Sequence, residues 1–386
     1  MRVTAVDTVV VNARLRNWVF VKVSTDEGLV GWGEASLEWK TQGVVGAVRD
    51  LSDIVVGEDP FRVEHLWQAM FRQQFWKGGV VTMSAISGID QALHDVKAKA
   101  LDVPLYELLG GRVRDRVRLY DHLGGGDATA VYDDATEASF AARARESVAD
   151  GFTALKILAV PVSRPLEGAA AVGRAEALMG AVRAAVGPDV DVMVDLHGRT
   201  TAATAIRYGH ALAPFEPWFL EEPVQPGNVD ALVEVARALP IPIATGERLV
   251  TRWEFQELFA KRACAVAQPD VCHCGGIAEV KRIAAMAEVA FVAMAPHNPL
   301  GPIATAVNVH VALATPNFLI QEVMRSDVPW RDEVVDAPFQ IVDGHVLPPT
   351  RPGIGVEVDE EAAARYPYAP ELPAREFHDD GSVADW

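Results

Sequence analysis

The chain has 386 residues, of which 50% are hydrophobic and 23% are charged. This composition is typical of a globular protein with a large core, and the length predicts two or three domains at roughly 150 residues each. The formal net charge of -18 repels polyphosphate backbones and anionic lipid surfaces. We therefore expect no nucleic-acid or membrane partner, and no apolar run approaches the roughly 18 residues that span a bilayer.

The cysteine content indicates a reducing compartment. Cys264, Cys272 and Cys274 are too few for a disulfide framework, so we expect a cytoplasmic protein. The segment Cys272-His273-Cys274 would suit a metal ion only with a second cluster of ligands, which the sequence lacks.

The first part of the chain has the pattern of strands followed by helices. Val19, Val21 and Val23 alternate with other side chains, and the turn residues 25–28 follow them, which predicts strands in a meander. From about residue 60 the apolar spacing becomes helical, and it stops near Gly110. Residues 1–115 are therefore predicted to form an α+β capping unit.

From residue 117 onward, short apolar runs alternate with amphipathic segments, which is the pattern of parallel βαβ units. The predicted strands are Val117–Tyr120, Ala154–Leu158, Val190–Asp195, Trp218–Glu222, Ile243–Glu247, Ala265–Asp270, Phe291–His297 and Phe318–Glu322. Eight such units predict a TIM-like α/β barrel over residues 116–342. A doubly wound open sheet is the alternative, although no GxGxxG follows its first strand. We expect the tail, about 343–386, to return to the capping unit or to cover the barrel.

Polar residues recur at the ends of these predicted strands, every 23 to 27 residues. They are Asp195, Glu221, Glu247, Asp270, His297 and Glu322. In a closed parallel barrel such positions meet at the C-terminal rim, where active sites of this fold lie. Each one alone would suit a helix cap or a surface ion pair, but six in register favour a functional site.

The residue types indicate the chemistry. Asp195, Glu221 and Glu247 offer hard oxygen ligands from three directions, which predicts a Mg²⁺ site. Asp270 can hold the imidazole of His297 in one tautomer, which makes His297 a candidate general base.

Three further polar residues complete the predicted site. His197 follows Asp195 on the same side of the strand and is a candidate second acid-base group. Lys156 is a candidate partner for a carboxylate. The side chain of Glu222 is expected to point away from Glu221, because side chains alternate along a strand.

These segments resemble the enolase superfamily, and its mandelate racemase branch in particular. The motifs that carry the resemblance are residues 84–93 (SAISGIDQAL), 220–223 (LEEP), 246–248 (GER), 268–270 (QPD) and 295–297 (APH). Within that branch the chain is most similar to the D-galactonate dehydratase group, through residues 195–199 (DLHGR), 296–302 (PHNPLGP) and 321–322 (QE). The likeness extends over nearly the whole chain.

The resemblance implies a modified (β/α)7β barrel with a capping domain built from both chain ends. It implies that Asp195, Glu221 and Glu247 bind Mg²⁺ and that His297, oriented by Asp270, takes the C2 proton of a sugar acid. Superfamily sites with a Lys or His base and Mg²⁺ are an established pattern. His197 would then protonate the departing 3-hydroxyl to yield a 2-keto-3-deoxy acid.

The resemblance also implies substrate contacts. Lys156 and Glu322 would contact the substrate carboxylate. Further contacts are expected from His122 and from the capping loops, through Trp39, Lys40 and Trp76. The net charge therefore does not exclude a small anionic substrate. His122 stands where galactonate dehydratases carry an aromatic residue, and the loop of residues 38–42 differs from theirs in its basic residues, so the identity of the sugar acid stays open. The resemblance also implies a homo-oligomer, with octamers among the known assemblies.

One departure from the family separates the possible activities. Racemases of this branch carry Lys-x-Lys at the end of the second strand, and the second position here is Leu158. A two-base racemase would therefore lack one base, which favours a dehydratase acting on an aldonate, with D-galactonate as the first candidate. The alternatives are an acid-sugar epimerase, a cycloisomerase, and a non-catalytic protein that binds sugar acids.

Overall fold

The N-terminal part begins with an antiparallel sheet. In the computed structural model it comprises β1 (Val3–Ala13), β2 (Arg16–Thr25) and β3 (Val30–Glu34), paired in the order β1-β2-β3. The structure describes residues 1–123, 136–160, 163–324, 327–371, 376–378 and 380–385. Val19, Val21 and Val23 are buried on one face of β2, but Trp18 and Phe20 on its other face are buried as well.

Helices cover this sheet. They are α1 (Thr41–Val55), α2 (Val63–Arg72), α3 (Val80–Ala100) and the short α4 (Leu105–Leu108). The long helix α3 packs directly on β3, and glycine permits that approach, because a Cβ atom on Gly33 would lie 2.0 Å from the carbonyl oxygen of Gly88.

The second part is a closed barrel. Within the described ranges, its eight strands are β4 (Val117–His122), β5 (Ala154–Ile157), β6 (Asp191–Asp195), β7 (Leu220–Glu221), β8 (Ile243–Thr245), β9 (Val266–Ala267), β10 (Ala293–Met294) and β11 (Gln321–Val323). The strands β4 to β10 are paired in parallel in chain order, and β11 pairs in parallel with β4. A parallel bridge between Met294 and Phe318 joins β10 to the segment that leads into β11, which closes the barrel. The predicted barrel is confirmed, and the open sheet is wrong.

One helix follows each of the strands β4 to β10. These helices are α5 (Glu137–Ala149), α6 (Ala169–Val186), α7 (Ala202–Leu212), α8 (Val229–Ala238), α9 (Thr251–Ala260), α10 (Ile277–Val289) and α11 (Pro302–Leu313). No helix of the described chain combines the length and the apolar character that crossing a membrane requires.

The inside of the barrel is packed with side chains. Each strand, or the residue beside it, contributes one member of a buried cluster: Tyr120, Ala154, Met193, Phe219, Ala244, Val266, Ala295 and Ile320. This packed layer is typical of the fold, and it leaves the space above the strand ends for the polar residues.

The tail contacts both parts. The hairpin of β12 (Ile341–Val342) and β13 (His345–Val346) pairs antiparallel with the start of β4. Farther on, α12 (Glu360–Ala363) precedes Glu371, whose Oε1 accepts a hydrogen bond from the Asn17 backbone N–H at 2.5 Å. The domain boundary near residue 115 stays a prediction.

The end of α10 offers a test of backbone strain. Phe291 has a left-handed φ of 59° although its side chain is 97% exposed. That conformation costs a non-glycine residue about 1–2 kcal/mol. Because Phe291 is exposed, packing of its ring offsets little of this cost. We expect Phe291→Gly to stabilise the protein by about 1 kcal/mol, measured as a rise in the thermal unfolding midpoint.

Ala290→Gly is the matched control. Ala290 lies one position earlier at φ −85°, where glycine adds only flexibility to the unfolded chain, so the midpoint should fall. A lower midpoint for Phe291→Gly would contradict the assignment of strain to this residue.

Candidate active site

Lys156 lies at the centre of the polar residues. Its Nζ is 2.6 Å from Glu221 Oε1, 2.7 Å from Glu322 Oε1 and 3.5 Å from Asp195 Oδ2. Lys156 is 1% exposed. Burial alone would lower the pKa of Lys156, but attraction to Glu221 and Glu322 raises it well above its ordinary value. Lys156 therefore stays charged and compensates the buried acids.

The carboxylates predicted to bind the metal converge. Asp195, Glu221 and Glu247 each offer one ligand oxygen, and these oxygens lie within 4.8 Å of one another. The predicted strand end at Glu247 is wrong, because β8 ends at Thr245. Gly246 then turns the chain with a φ of 133°, which only glycine adopts readily.

These acids crowd one another. Burial and repulsion from Asp195 raise the pKa of Glu221 well above its ordinary value. Burial, together with repulsion from Glu222 and Asp195, raises the pKa of Glu247 against the attraction of His297. One lysine does not balance this negative charge. Clustered hard oxygen donors with excess negative charge suit a small divalent cation, so the residues present fit Mg²⁺.

His297 and Asp270 form the predicted pair. His297 Nδ1 lies 2.7 Å from Asp270 Oδ2, and His297 Nε2 faces Glu247 Oε2 at 3.6 Å. Burial opposes the charge, yet Glu247 and Asp270 raise the pKa of His297 to about 10. Both residues follow their strands rather than end them, because β9 ends at Ala267 and β10 ends at Met294.

The backbone after His297 is held by side chains from distant segments. Asn298 N–H donates to Glu322 Oε2 at 2.8 Å, and Arg16 Nη1 donates to the Pro299 carbonyl at 2.6 Å. Arg16 comes from β2, so the N-terminal part directly restrains the loop that carries the candidate base.

The next residues of this loop are restrained in the same way. Arg331 Nη2 donates to the Leu300 carbonyl at 2.5 Å. At the end of β3, Glu34 accepts from Gly301 N–H at 2.7 Å and from Ala304 N–H at 2.8 Å. Its carboxylate thereby satisfies the first free N–H groups of α11, which stabilises a helix start.

His197 reaches the acids by a route the sequence did not predict. Its backbone has a left-handed φ of 51°, so strand alternation does not determine its direction. The His197 N–H donates to Asp195 Oδ1 at 2.8 Å, and Nε2 lies 3.3 Å from Asp195 Oδ2. With His297 beside Glu247, the two histidines approach the carboxylate cluster through different acids.

His122 and Tyr120 border Lys156 on β4. Burial, together with repulsion from Lys156, lowers the pKa of His122 to about 4, so this ring is neutral at pH 7. The Tyr120 ring centre lies 5.5 Å from Lys156 Nζ. His122 therefore lies beside Lys156, and its contact with substrate stays a prediction.

The capping residues predicted to bind substrate differ in how exposed they are and in which segments they contact. Arg16, which holds the loop after His297, also pairs with Glu38 at 2.9 Å, so the segment containing half-buried Trp39 and exposed Lys40 lies near that loop. Trp76 is 84% exposed and packs edge-on against Phe75. Their contact with substrate stays a prediction.

Several site residues had no predicted role. Gln268 Nε2 donates to Glu221 Oε2 at 2.7 Å, and only its place in the motif 268–270 could have drawn attention to it. Asn298 and Glu34 act through backbone contacts that no sequence pattern reveals. Glu222 lies just after β7 with a left-handed φ of 41°, so strand alternation does not determine its direction, and it pairs with Arg248 at 2.8 Å.

Two family descriptions match the chain. Residues 2–110 match the N-terminal domain of the mandelate racemase / muconate lactonizing enzyme family, and residues 139–362 match the family described as Enolase C-terminal domain-like. Together these ranges cover most of the chain.

Whole proteins are similar too. D-galactonate dehydratase of Ralstonia nicotianae is 41% identical over 377 residues, or 96% of each chain, and that of Variovorax paradoxus is 40% identical over 100% of each. A crystal structure of a member of the enolase superfamily from Salmonella Typhimurium has a TM-score of 0.89 and 34% identity, covering 95% of this chain and 98% of that one.

Removal of Lys156 tests its place in the charge balance. We expect Lys156→Met to destabilise the protein by about 3–5 kcal/mol, because it leaves buried carboxylates without a cation. Urea unfolding at pH 7 measures this. Lys261→Met is the matched control, since Lys261 also pairs with two acids, Asp230 and Glu257, but on the surface. Its cost should stay below about 1 kcal/mol, and equal losses would contradict the assignment.

Mg²⁺ should stabilise the folded protein. Saturation a hundredfold above the dissociation constant adds about 2.7 kcal/mol, which raises the thermal midpoint by several degrees. Glu247→Gln should reduce this rise sharply, because it removes one charged ligand. Glu257→Gln, at an exposed acid paired with Lys261, should leave the rise unchanged. A full rise in Glu247→Gln would argue against the metal site.

Proposed function

Because the chain belongs to the mandelate racemase / muconate lactonizing enzyme family of the enolase superfamily, we propose that it is a Mg²⁺-dependent D-galactonate dehydratase, a hydro-lyase acting on an aldonate. One observation carries this proposal. Two imidazoles, those of His297 and His197, lie beside the same three-carboxylate cluster, while Leu158 stands where a racemase would have its second lysine.

Asp195, Glu221 and Glu247 would hold the metal. Mg²⁺ bound there would supply positive charge that acidifies the C2 proton of a bound sugar acid and offsets the Glu247 charge that raises the pKa of His297.

His297 acts as the general base. Its Nδ1–H is directed at Asp270 Oδ2, which leaves Nε2 as the nitrogen that faces the carboxylate cluster. Nε2 of the neutral ring takes the C2 proton, and the adjacent Asp270 carboxylate stabilises the imidazolium that forms. The backbone contacts of residues 298–301 keep this ring in place.

His197 acts as the general acid. It delivers a proton to the 3-hydroxyl as the C3–O bond breaks, so that water leaves and the C2–C3 double bond forms. The enol then tautomerises to a 2-keto-3-deoxy acid. The contact of His197 with Asp195 places the ring at the edge of the cluster.

Lys156 and Glu322 would orient the substrate carboxylate. Lys156 supplies the fixed positive charge near the acids, and Glu322 holds both Lys156 and Asn298 N–H. Glu322 therefore acts mainly through Lys156 and the His297 loop. His122, Trp39, Lys40 and Trp76 would meet the distal hydroxyls.

We further propose that the enzyme works in the cytoplasm as a homo-oligomer. The three cysteines, Cys264, Cys272 and Cys274, are all buried and unpaired, which fits a reducing compartment. The homo-oligomeric state is inferred by analogy with the family that the chain belongs to.

A substrate screen tests the activity. The protein is incubated with Mg²⁺ and a set of aldonic and aldaric acids that includes D-galactonate, and 2-keto acid formation is followed with semicarbazide. We expect turnover of D-galactonate. C2 proton exchange in D₂O without elimination would instead indicate an epimerase or cycloisomerase. Binding with neither reaction would indicate a sugar-acid binding protein.

Histidine variants test the division of labour. His297→Asn should reduce both C2 exchange in D₂O and elimination by about 10³-fold, because the base is lost. His197→Asn should block elimination while part of the exchange persists, since proton removal precedes departure of the hydroxyl. Equal loss of exchange in both variants would contradict these roles.

A further inference from the structure

A chain of polar side chains runs from the N-terminal part to the candidate base. Ser84 Oγ lies 2.9 Å from His273 Nδ1, and His273 Nε2 lies 3.7 Å from Asp270 Oδ2. That same oxygen is the one bound by His297 Nδ1 at 2.7 Å. Ser84 and His273 are both buried, so these contacts lie away from bulk solvent.

The segment Cys272-His273-Cys274 thereby acquires a role other than metal binding. Burial raises the pKa of the Cys272 thiol and of the Cys274 thiol well above the ordinary value. Because a metal ligand must be a thiolate, this argues against a metal site at the segment. Cys272 contributes through its backbone instead, because its N–H donates to Asp270 Oδ1 at 2.6 Å.

We propose that His273, fixed by Ser84, is a positioning residue that orients Asp270 and, through Asp270, the base His297. The inference rests on the proposed function for its kinetic consequences. Cys272 N–H donates to one oxygen of Asp270, His297 Nδ1 lies 2.7 Å from the other, and His273 Nε2 faces that second oxygen at an ion-pair distance of 3.7 Å. Loss of His273 would remove this attraction and let Asp270 Oδ2 shift relative to His297.

The charge of Asp270 supports this geometry. Burial raises its pKa, but the attraction of His273 is the largest opposing effect, followed by that of His297, and the pKa falls below its ordinary value. Asp270 therefore remains a carboxylate. As a carboxylate it can accept the hydrogen bond from Nδ1–H of His297.

Ser84 fixes the ring of His273 through Nδ1. The Ser84 hydroxyl donates its single proton to the Val80 carbonyl at 2.8 Å, so its oxygen accepts a hydrogen bond from His273 Nδ1–H at 2.9 Å. This contact directs Nε2 of the same ring at Asp270 Oδ2.

The chain offers a matched control. Ser87 lies one turn farther along α3, is equally buried, and its hydroxyl likewise lies beside a helix carbonyl, that of Met83 at 2.7 Å. Ser87 Oγ also accepts from Gly275 N–H at 2.9 Å, so it joins the same two parts of the protein without touching His273.

The kinetic test compares Ser84→Ala with Ser87→Ala. We expect Ser84→Ala to lower kcat for dehydration about 10-fold with little change in KM, by analogy with residues that orient catalytic ligands. Ser87→Ala should keep kcat. Ser84→Thr retains the hydroxyl and should restore most of the loss. A loss in Ser87→Ala equal to that in Ser84→Ala would overturn the proposal.

Two further measurements separate positioning from general damage. Combining Ser84→Ala with His273→Gln should lower kcat no more than His273→Gln alone, because both act through one contact; additive losses of kcat would contradict this.

A crystal structure of Ser84→Ala should show Asp270 rotated and its contact with His297 Nδ1 lengthened. That readout needs no turnover, so an inactive wild-type protein would refute the proposed function alone, and an unmoved Asp270 would refute this inference.

Discussion

The burial of negative charge at the barrel rim is the constraint on which the rest of the site depends. Asp195, Glu221 and Glu322 surround a lysine that is 1% exposed, and Glu247 lies beside them. Charges that leave water are stable only when they are paired or bound to a metal. Lys156 supplies part of the compensation, and the remaining charge creates the demand for a divalent cation. The net charge of -18 therefore does not predict whether the site binds a small anion.

The candidate base depends on contacts between parts of the chain that are distant in sequence. Glu34 and Arg16 from the antiparallel sheet bind the backbone after His297, and Ser84 from α3 lies against His273. Without the N-terminal part, this loop would keep its contacts with Glu322 and Arg331 but lose those with Glu34 and Arg16. The N-terminal part therefore does more than cover the site, because its packing helps to determine where the imidazole lies.

The two histidines differ in their surroundings, and this difference is what a dehydratase needs. His297 is held by a buried carboxylate and faces Glu247, whereas His197 contacts Asp195 after a left-handed turn. A base and an acid supplied by separate groups permit proton removal at one carbon and protonation of a hydroxyl at the next. Leu158, which is buried and apolar, offers no third acid-base group there.

Sequence alone determined the barrel and the residue types of its site, because apolar runs and polar ends repeat with each βα unit. It also predicted Lys156 among the acids. It placed Glu247, Asp270 and His297 at strand ends, but strand length depends on pairing, and the strands stop earlier. Only the tertiary structure decided what holds these side chains. Ser84 and His273 are 189 positions apart, and Glu34 and Gly301 are 267 apart. Contacts at such separations follow from the packing of whole elements, which no local pattern encodes.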